Sequence, residues 1–158
     1  MAIAVVSDAL DGAGSLFRRY TGQGEDVSPP LRWSQVPQGV KQLAVLMEEE
    51  VHNGHEPWTH WLLYNVPPNV RSLPEAVGPE AQPGRPTRAA HGKNSWGSYG
   101  YGGPMPPAGQ GPRRYHIRLL ALDVEMSLEP GLTREQFFQA VRGRIRDEGQ
   151  LLCRYQRD

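Results

Sequence analysis

The stretch Trp61-Leu62-Leu63-Tyr64-Asn65-Val66-Pro67-Pro68 decides the fold. Its apolar and aromatic run is too short for a core helix, and two prolines, which fix φ and lack the backbone N–H, cut it off abruptly. That is a buried strand. Similar short runs recur at Ile3–Val6, Leu31–Trp33, Gln42–Met47 and Tyr115–Leu122, each separated by Gly and Pro at strand spacing. The connections lack the repeated helical crossovers that parallel strands need, so the sheets are antiparallel and the chain is mainly β. One helix is expected near the C-terminus. Thr133-Arg134-Glu135-Gln136 reads as a capping box, and Phe137, Phe138, Val141 and Ile145 recur at helical spacing up to Gly149. Arg71 to Gly92, rich in Pro and poor in large apolar residues, reads as a long surface loop.

The chain has 158 residues, enough for one domain with a real core, so residues 1–158 are read as a single domain. Seventeen basic residues balance seventeen acidic ones, and no global field calls for nucleic acid or an anionic membrane. A single cysteine, Cys153, excludes an internal disulfide and a Cys-rich zinc site; among Leu151, Leu152 and Tyr155 it reads as core. The opening apolar run is too short to span a membrane, and a cytoplasmic protein is expected.

Tyr99–Gly109 holds four Gly, three Pro and two Tyr in eleven residues, which suits neither a helix nor a central strand. It runs almost directly into the Tyr115 strand. A loop tied so closely to a core strand makes a pocket wall rather than a linker.

Several chemistries fail on spacing. The sequence has no Gly-x-Ser-x-Gly elbow, no Gly-x-x-x-x-Gly-Lys phosphate loop and no Gly-x-Gly-x-x-Gly fingerprint. Glu48 to His60 packs four carboxylates and three histidines into thirteen residues, which invites a metal. Yet His55 and His60 are five apart with Pro57 between them, so they do not share a helical face and no metal site is assigned. The segment reads as an acidic hairpin loop with His52 and His55 in solvent. His60 opens an apolar strand, where it is either a pocket group or a satisfied core histidine.

Four segments in order resemble the phosphatidylethanolamine-binding protein family, in its prokaryotic Raf-kinase-inhibitor-like branch: Tyr20–Trp33, Trp58–Pro67, Gly100–Pro107, and Arg114-Tyr115 running into Ala121-Leu122-Asp123. Gly149–Tyr155 is similar to that branch's terminal segment. The resemblance implies a sandwich of antiparallel sheets with one or two peripheral helices, one C-terminal, and a small pocket for phosphate-like or carboxylate anions. Carried over by position, the pocket falls on Glu49 to Asn53, His60, Gly103 to Pro107 and Arg113 to Tyr115. Trp58 forms a side wall. The implied ligand-binding set is therefore Glu49, Trp58, His60, Tyr101, Gly103, Pro106, Pro107, Arg113 and Tyr115, with no catalytic residue and no cofactor. A homodimer is an expectation of likeness alone.

Two departures from the family pattern bear on function. The acidic-proline loop reads Glu49-Glu50-Val51-His52-Asn53, without its prolines, and Arg113 stands where the family has a second pocket histidine. Arg113 favours anions through its permanent charge and planar fork of donors, unless Glu49 lies within ion-pair reach and cancels it. Three readings follow. The first is a non-catalytic protein for a small anion such as phosphate or phosphoethanolamine, with modulation of a protein partner as a corollary. The second is a protein-interaction module using the acidic 48–50 loop and the 71–92 loop, with a vestigial pocket. The third, a metal-assisted hydrolase of Glu49, His52, His55 and His60, ranks last for want of a nucleophile and of ligand spacing.

Overall fold

The computed structural model describes residues 3–51 and 56–157. Chain order gives β1 (Ala4–Val6), a short 3-10 turn (Arg18–Tyr20), β2 (Leu31–Ser34), β3 (Gln42–Glu49), β4 (Thr59–Val66), β5 (Ser72–Leu73), β6 (Ala90–His91), β7 (Arg113–Leu122), α1 (Arg134–Ala140) and β8 (Ile145–Tyr155). Strands β1-β2-β5 form a small sheet and β6-β4-β3-β7-β8 a larger one. Every strand pairing is antiparallel.

The larger sheet is covered on both faces. Val45, Met47, Trp61, Leu63, Ile117 and Leu119 pack with Val5, Leu31, Trp33 and Leu73 of the small sheet. Ala44, Leu46, Leu62, Tyr64, Leu120 and Leu122 pack on the other side with Phe137 and Val141. Double coverage explains why Leu43–Met47 is continuously apolar, whereas an antiparallel strand with one wet face would alternate. Tyr64 stacks on Phe137 at 5.5 Å between ring centroids, and its hydroxyl donates to Glu129 O while accepting from the Leu132 amide. The polar end of a buried tyrosine thereby anchors the approach to α1.

Three expectations are corrected. The capping box on Thr133 and Gln136 is present, but α1 ends at Ala140 rather than running to Gly149. Gly143 adopts φ +75°, a left-handed turn that stops the helix, and Ile145 begins β8 opposite Leu122. The helical spacing of Ile145 was coincidental. Second, β3 runs on through Glu48 and Glu49, so the glutamates are not a free acidic hairpin. Glu48 is buried and ion-paired with Arg118 and Arg134, and Glu50 pairs with Arg114. Third, the 71–92 segment carries β5 and β6 near its ends. It also buries His91, which donates from Nδ1 to Glu80 O and accepts at Nε2 from Trp61 Nε1–H at 3.0 Å.

Candidate functional site

His60 owes its position to a bulge. In the β3–β4 ladder Met47 pairs with Trp61 but Glu48 pairs with Thr59, leaving His60 as an extra residue on β4. An inserted residue bends its strand and re-aims a side chain. His60 meets Tyr115 and Trp96 edge-on, each at 5.3 Å between centroids. The side chain is buried, with Nδ1 2.7 Å from the Gly102 carbonyl. A carbonyl only accepts, so Nδ1 carries the proton. The Gly102 amide donates back to His60 O at 2.9 Å, locking loop to strand. Among the described residues, Nε2 has no hydrogen-bond partner. Burial holds the imidazole below its ordinary pKa, opposed by the Gly102 bond and by the charges of Glu49 and Asp26.

The glycine-proline segment is fixed from behind by residues 20–26. The Gly103 amide donates to Asp26 Oδ1 at 2.7 Å, the Tyr101 hydroxyl to Tyr20 O at 2.5 Å, and the Gly22 amide to Pro104 O at 3.0 Å. A Cβ at Gly102 would lie 2.5 Å from Trp96 Cζ3, and one at Gly103 would lie 2.4 Å from Tyr20 O. Only glycine allows either approach.

Glu49, Arg113 and Tyr115 form the remaining wall. Glu49 pairs with Tyr115 across the β3–β7 ladder, and Arg113 sits two residues before Tyr115, so all three share one face. Arg113 Nη1 donates to Glu49 Oε1 at 2.7 Å and Nη2 to Gln110 Oε1 at 3.3 Å. The Glu49 bond raises the guanidinium pKa further. Burial, seconded by Glu49, pushes the Tyr115 phenol well up, and it stays protonated.

These walls enclose a cleft of about 240 Å³. Of the residues named from sequence, Glu49, Trp58, His60, Pro106, Pro107, Arg113 and Tyr115 converge on it. Tyr101 and Gly103 are not in its lining; they brace the loop from behind. Met105, within the anticipated Gly103–Pro107 segment, also lines the cleft, and Trp96 lines it without having been anticipated. Trp96 stands on a turn in which Asn94 Oδ1 accepts from the amides of Trp96 and Ser98, and an Asn-x-Trp-Gly turn just ahead of a glycine-rich loop was the available signal. Trp58, Trp96 and Met105 remain exposed and give a polar cleft an apolar mouth.

The set can hold a ligand by hydrogen bonds donated by a phenol and a guanidinium and accepted by the free imidazole nitrogen. His52 and His55, half of the metal-hydrolase reading, lie outside the described residues. Cys153, on β8 opposite Tyr115, is buried, its thiol pushed up to about 12 by burial. A larger, open groove of about 1060 Å³ lies beside α1, lined in part by Trp58, Lys93, Arg118, Arg134 and Phe138. Three of its four cations are engaged, Arg118 and Arg134 by Glu48 and Lys93 over the Tyr99 ring, while Arg142 has no ion pair among the described residues. It contains none of the unpartnered buried polar atoms found among the described residues, so the smaller cleft is the better candidate.

The family model described as phosphatidylethanolamine-binding protein matches residues 6–156. A UPF0098 protein of Methanothermobacter thermautotrophicus is 40% identical over 150 residues, covering 94% of this chain and 95% of that one. A crystal structure described as a putative phosphatidylethanolamine-binding protein homologue, CT736 of Chlamydia trachomatis, superposes with a TM-score of 0.84 at 33% identity, covering 99% of each chain. YbcL of E. coli, described as a new member of the mammalian family, superposes with a TM-score of 0.88 at 26% identity over the whole of both chains. With a match across nearly its full length, this chain belongs to the phosphatidylethanolamine-binding protein family.

Proposed function

We propose that the chain is a non-catalytic binding protein whose cleft takes a small phosphate-like or carboxylate headgroup. The observation that carries this reading is the convergence of His60 with the glycine-proline loop on one cleft, completed by Tyr115 and Arg113. Arg113 retains donors beyond those given to Glu49 and Gln110, because a guanidinium has five N–H groups. Its charge, however, is balanced by Glu49. Binding of a simple anion is therefore modest, and a headgroup bearing both phosphate and ammonium can use both members of the pair.

Contact with a protein partner belongs to the same reading, through exposed Trp58, Trp96 and Met105 at the mouth. The 48–50 glutamates support that role poorly, since their carboxylates are engaged by arginines. Action in the cytoplasm is part of the proposal; no helix of the described residues is long and apolar enough to cross a membrane. Isothermal titration with phosphate and with phosphoethanolamine tests the reading. Millimolar or tighter binding that weakens in Arg113→Ala is expected, and no heat from either ligand with the parent protein overturns it.

A further inference from the structure

We infer that the oxyanion selected by this cleft is one that carries its own proton, a hydrogenphosphate or a phosphomonoester monoanion, because the buried Nε2 of His60 is placed to accept and not to donate. The inference rests on the headgroup-binding reading above and goes further by naming the chemistry of the ligand.

The geometry fixes the tautomer. Nδ1 faces the Gly102 carbonyl at 2.7 Å and must be the protonated nitrogen, which leaves Nε2 with a lone pair. His60 is only 3% exposed, and Nε2 has no partner among the described residues. A second ring proton would place a cation between two aromatic rings without a free counter-ion. Glu49 already holds Arg113, Asp26 holds the Gly103 amide, and Tyr115 is a protonated phenol. The environment therefore keeps the imidazole neutral, in agreement with the downward push of burial.

A neutral imidazole whose free nitrogen only accepts repels a bare anionic oxygen and welcomes an O–H. Hydrogenphosphate supplies one, while its other oxygens remain to accept from Tyr115 and from Arg113. Sulfate has the same tetrahedral shape and no proton to give. Phosphodiesters, including the phosphate of an intact phospholipid, also lack a P–OH. A site built to hydrogen-bond one group discriminates strongly against an analogue that leaves its buried polar atom unpaired.

The test compares inorganic phosphate with sulfate by calorimetry at pH 8, where both are dianions and differ by one proton. A second pair, methyl phosphate and dimethyl phosphate at pH 5.5, compares a phosphomonoester with the diester chemistry of a lipid headgroup at equal charge. We expect the protonated member of each pair to bind about ten to a hundred times more tightly, the range for an unpaired buried acceptor. Equal affinities within each pair overturn the inference while leaving the headgroup reading intact; absence of binding by all four ligands overturns both. In His60→Gln, where the amide can turn an N–H toward the ligand, the phosphate-to-sulfate ratio should fall toward one, and an unchanged ratio in the folded variant also overturns the inference. The wild-type comparison stands whether or not that variant folds.

Discussion

Replacing Glu49 by Gln should strengthen anion binding. In the parent, the Glu49 carboxylate lies 2.7 Å from Arg113 Nη1, and the cleft presents a cancelled pair. Glu49→Gln keeps the length of the side chain and an acceptor oxygen while removing one negative charge. A monoanion about 4 Å from the freed guanidinium gains about 1 kcal/mol in the water limit and about 4 kcal/mol at an effective dielectric of about 20, and a dianion about twice as much. The Arg113 side chain is 40% exposed, which places the gain toward the lower end, at about 1–2 kcal/mol, or roughly 5- to 30-fold in affinity. The loss of a half-exposed ion pair should lower stability by no more than about 1 kcal/mol, so affinity is measured on folded protein. Phosphoethanolamine should gain less than phosphate, since its ammonium loses the carboxylate. Calorimetric titration of both ligands into parent and variant, at equal low ionic strength, reads the difference. An unchanged or weaker phosphate affinity in a variant with native thermal unfolding refutes the reasoning, because it would mean that Arg113 does not face the bound anion.

Further outcomes follow from the same geometry. Gly102→Ala puts a methyl group into the Trp96 ring, so Trp96 must leave the cleft wall; a stability loss of about 1–3 kcal/mol and a shift in tryptophan emission are expected from denaturant unfolding followed by fluorescence. His91 is buried and neutral, with Nε2 accepting from Trp61, and its pKa is depressed chiefly by burial. Below the ordinary imidazole value of 6.5 the unfolded chain takes up a proton that the folded one refuses, so stability present above that pH declines as pH falls toward the depressed value. Thermal unfolding between pH 7.5 and 5 should show that decline, and His91→Gln, which can still accept from Trp61, should make it shallower, the buried His60 supplying the remainder. Cys153 should resist an aromatic disulfide reagent in the native protein and react at once in denaturant, since its thiol is buried and its pKa is pushed up to about 12.

The sequence made the site's individual residues legible more readily than their relations. His60 could be named because it opens an apolar strand that ends in two prolines, and the Gly103–Pro107 loop because its composition permits little else. The bulge that sets His60 against Tyr115 and Trp96 is a matter of ladder register, which no local pattern reveals. Glu49 and Arg113 were both in view, but whether they cancel depended on β3 continuing to Glu49 opposite Tyr115. Reading Glu48–Glu50 as a loop hid this, since three consecutive glutamates suggest solvent and only tertiary contact shows Arg118 and Arg134 closing on Glu48. The helix was overextended because Ile145 happens to continue the apolar spacing, while Gly143 in a left-handed turn overrides it. His91 lay in a stretch read as surface loop, and its partner Trp61 is thirty residues away in the chain.

Anion entry into the cleft between His60 and the glycine-proline loop is the central claim. A phosphate titration of nitrogen-15-labelled protein, followed by NMR, addresses it directly. The His60 ring nitrogens and the Gly102, Gly103 and Tyr115 amides should shift together along one saturating curve. Saturating shifts confined to Lys93, Arg134 and Arg142 around the larger groove would contradict it.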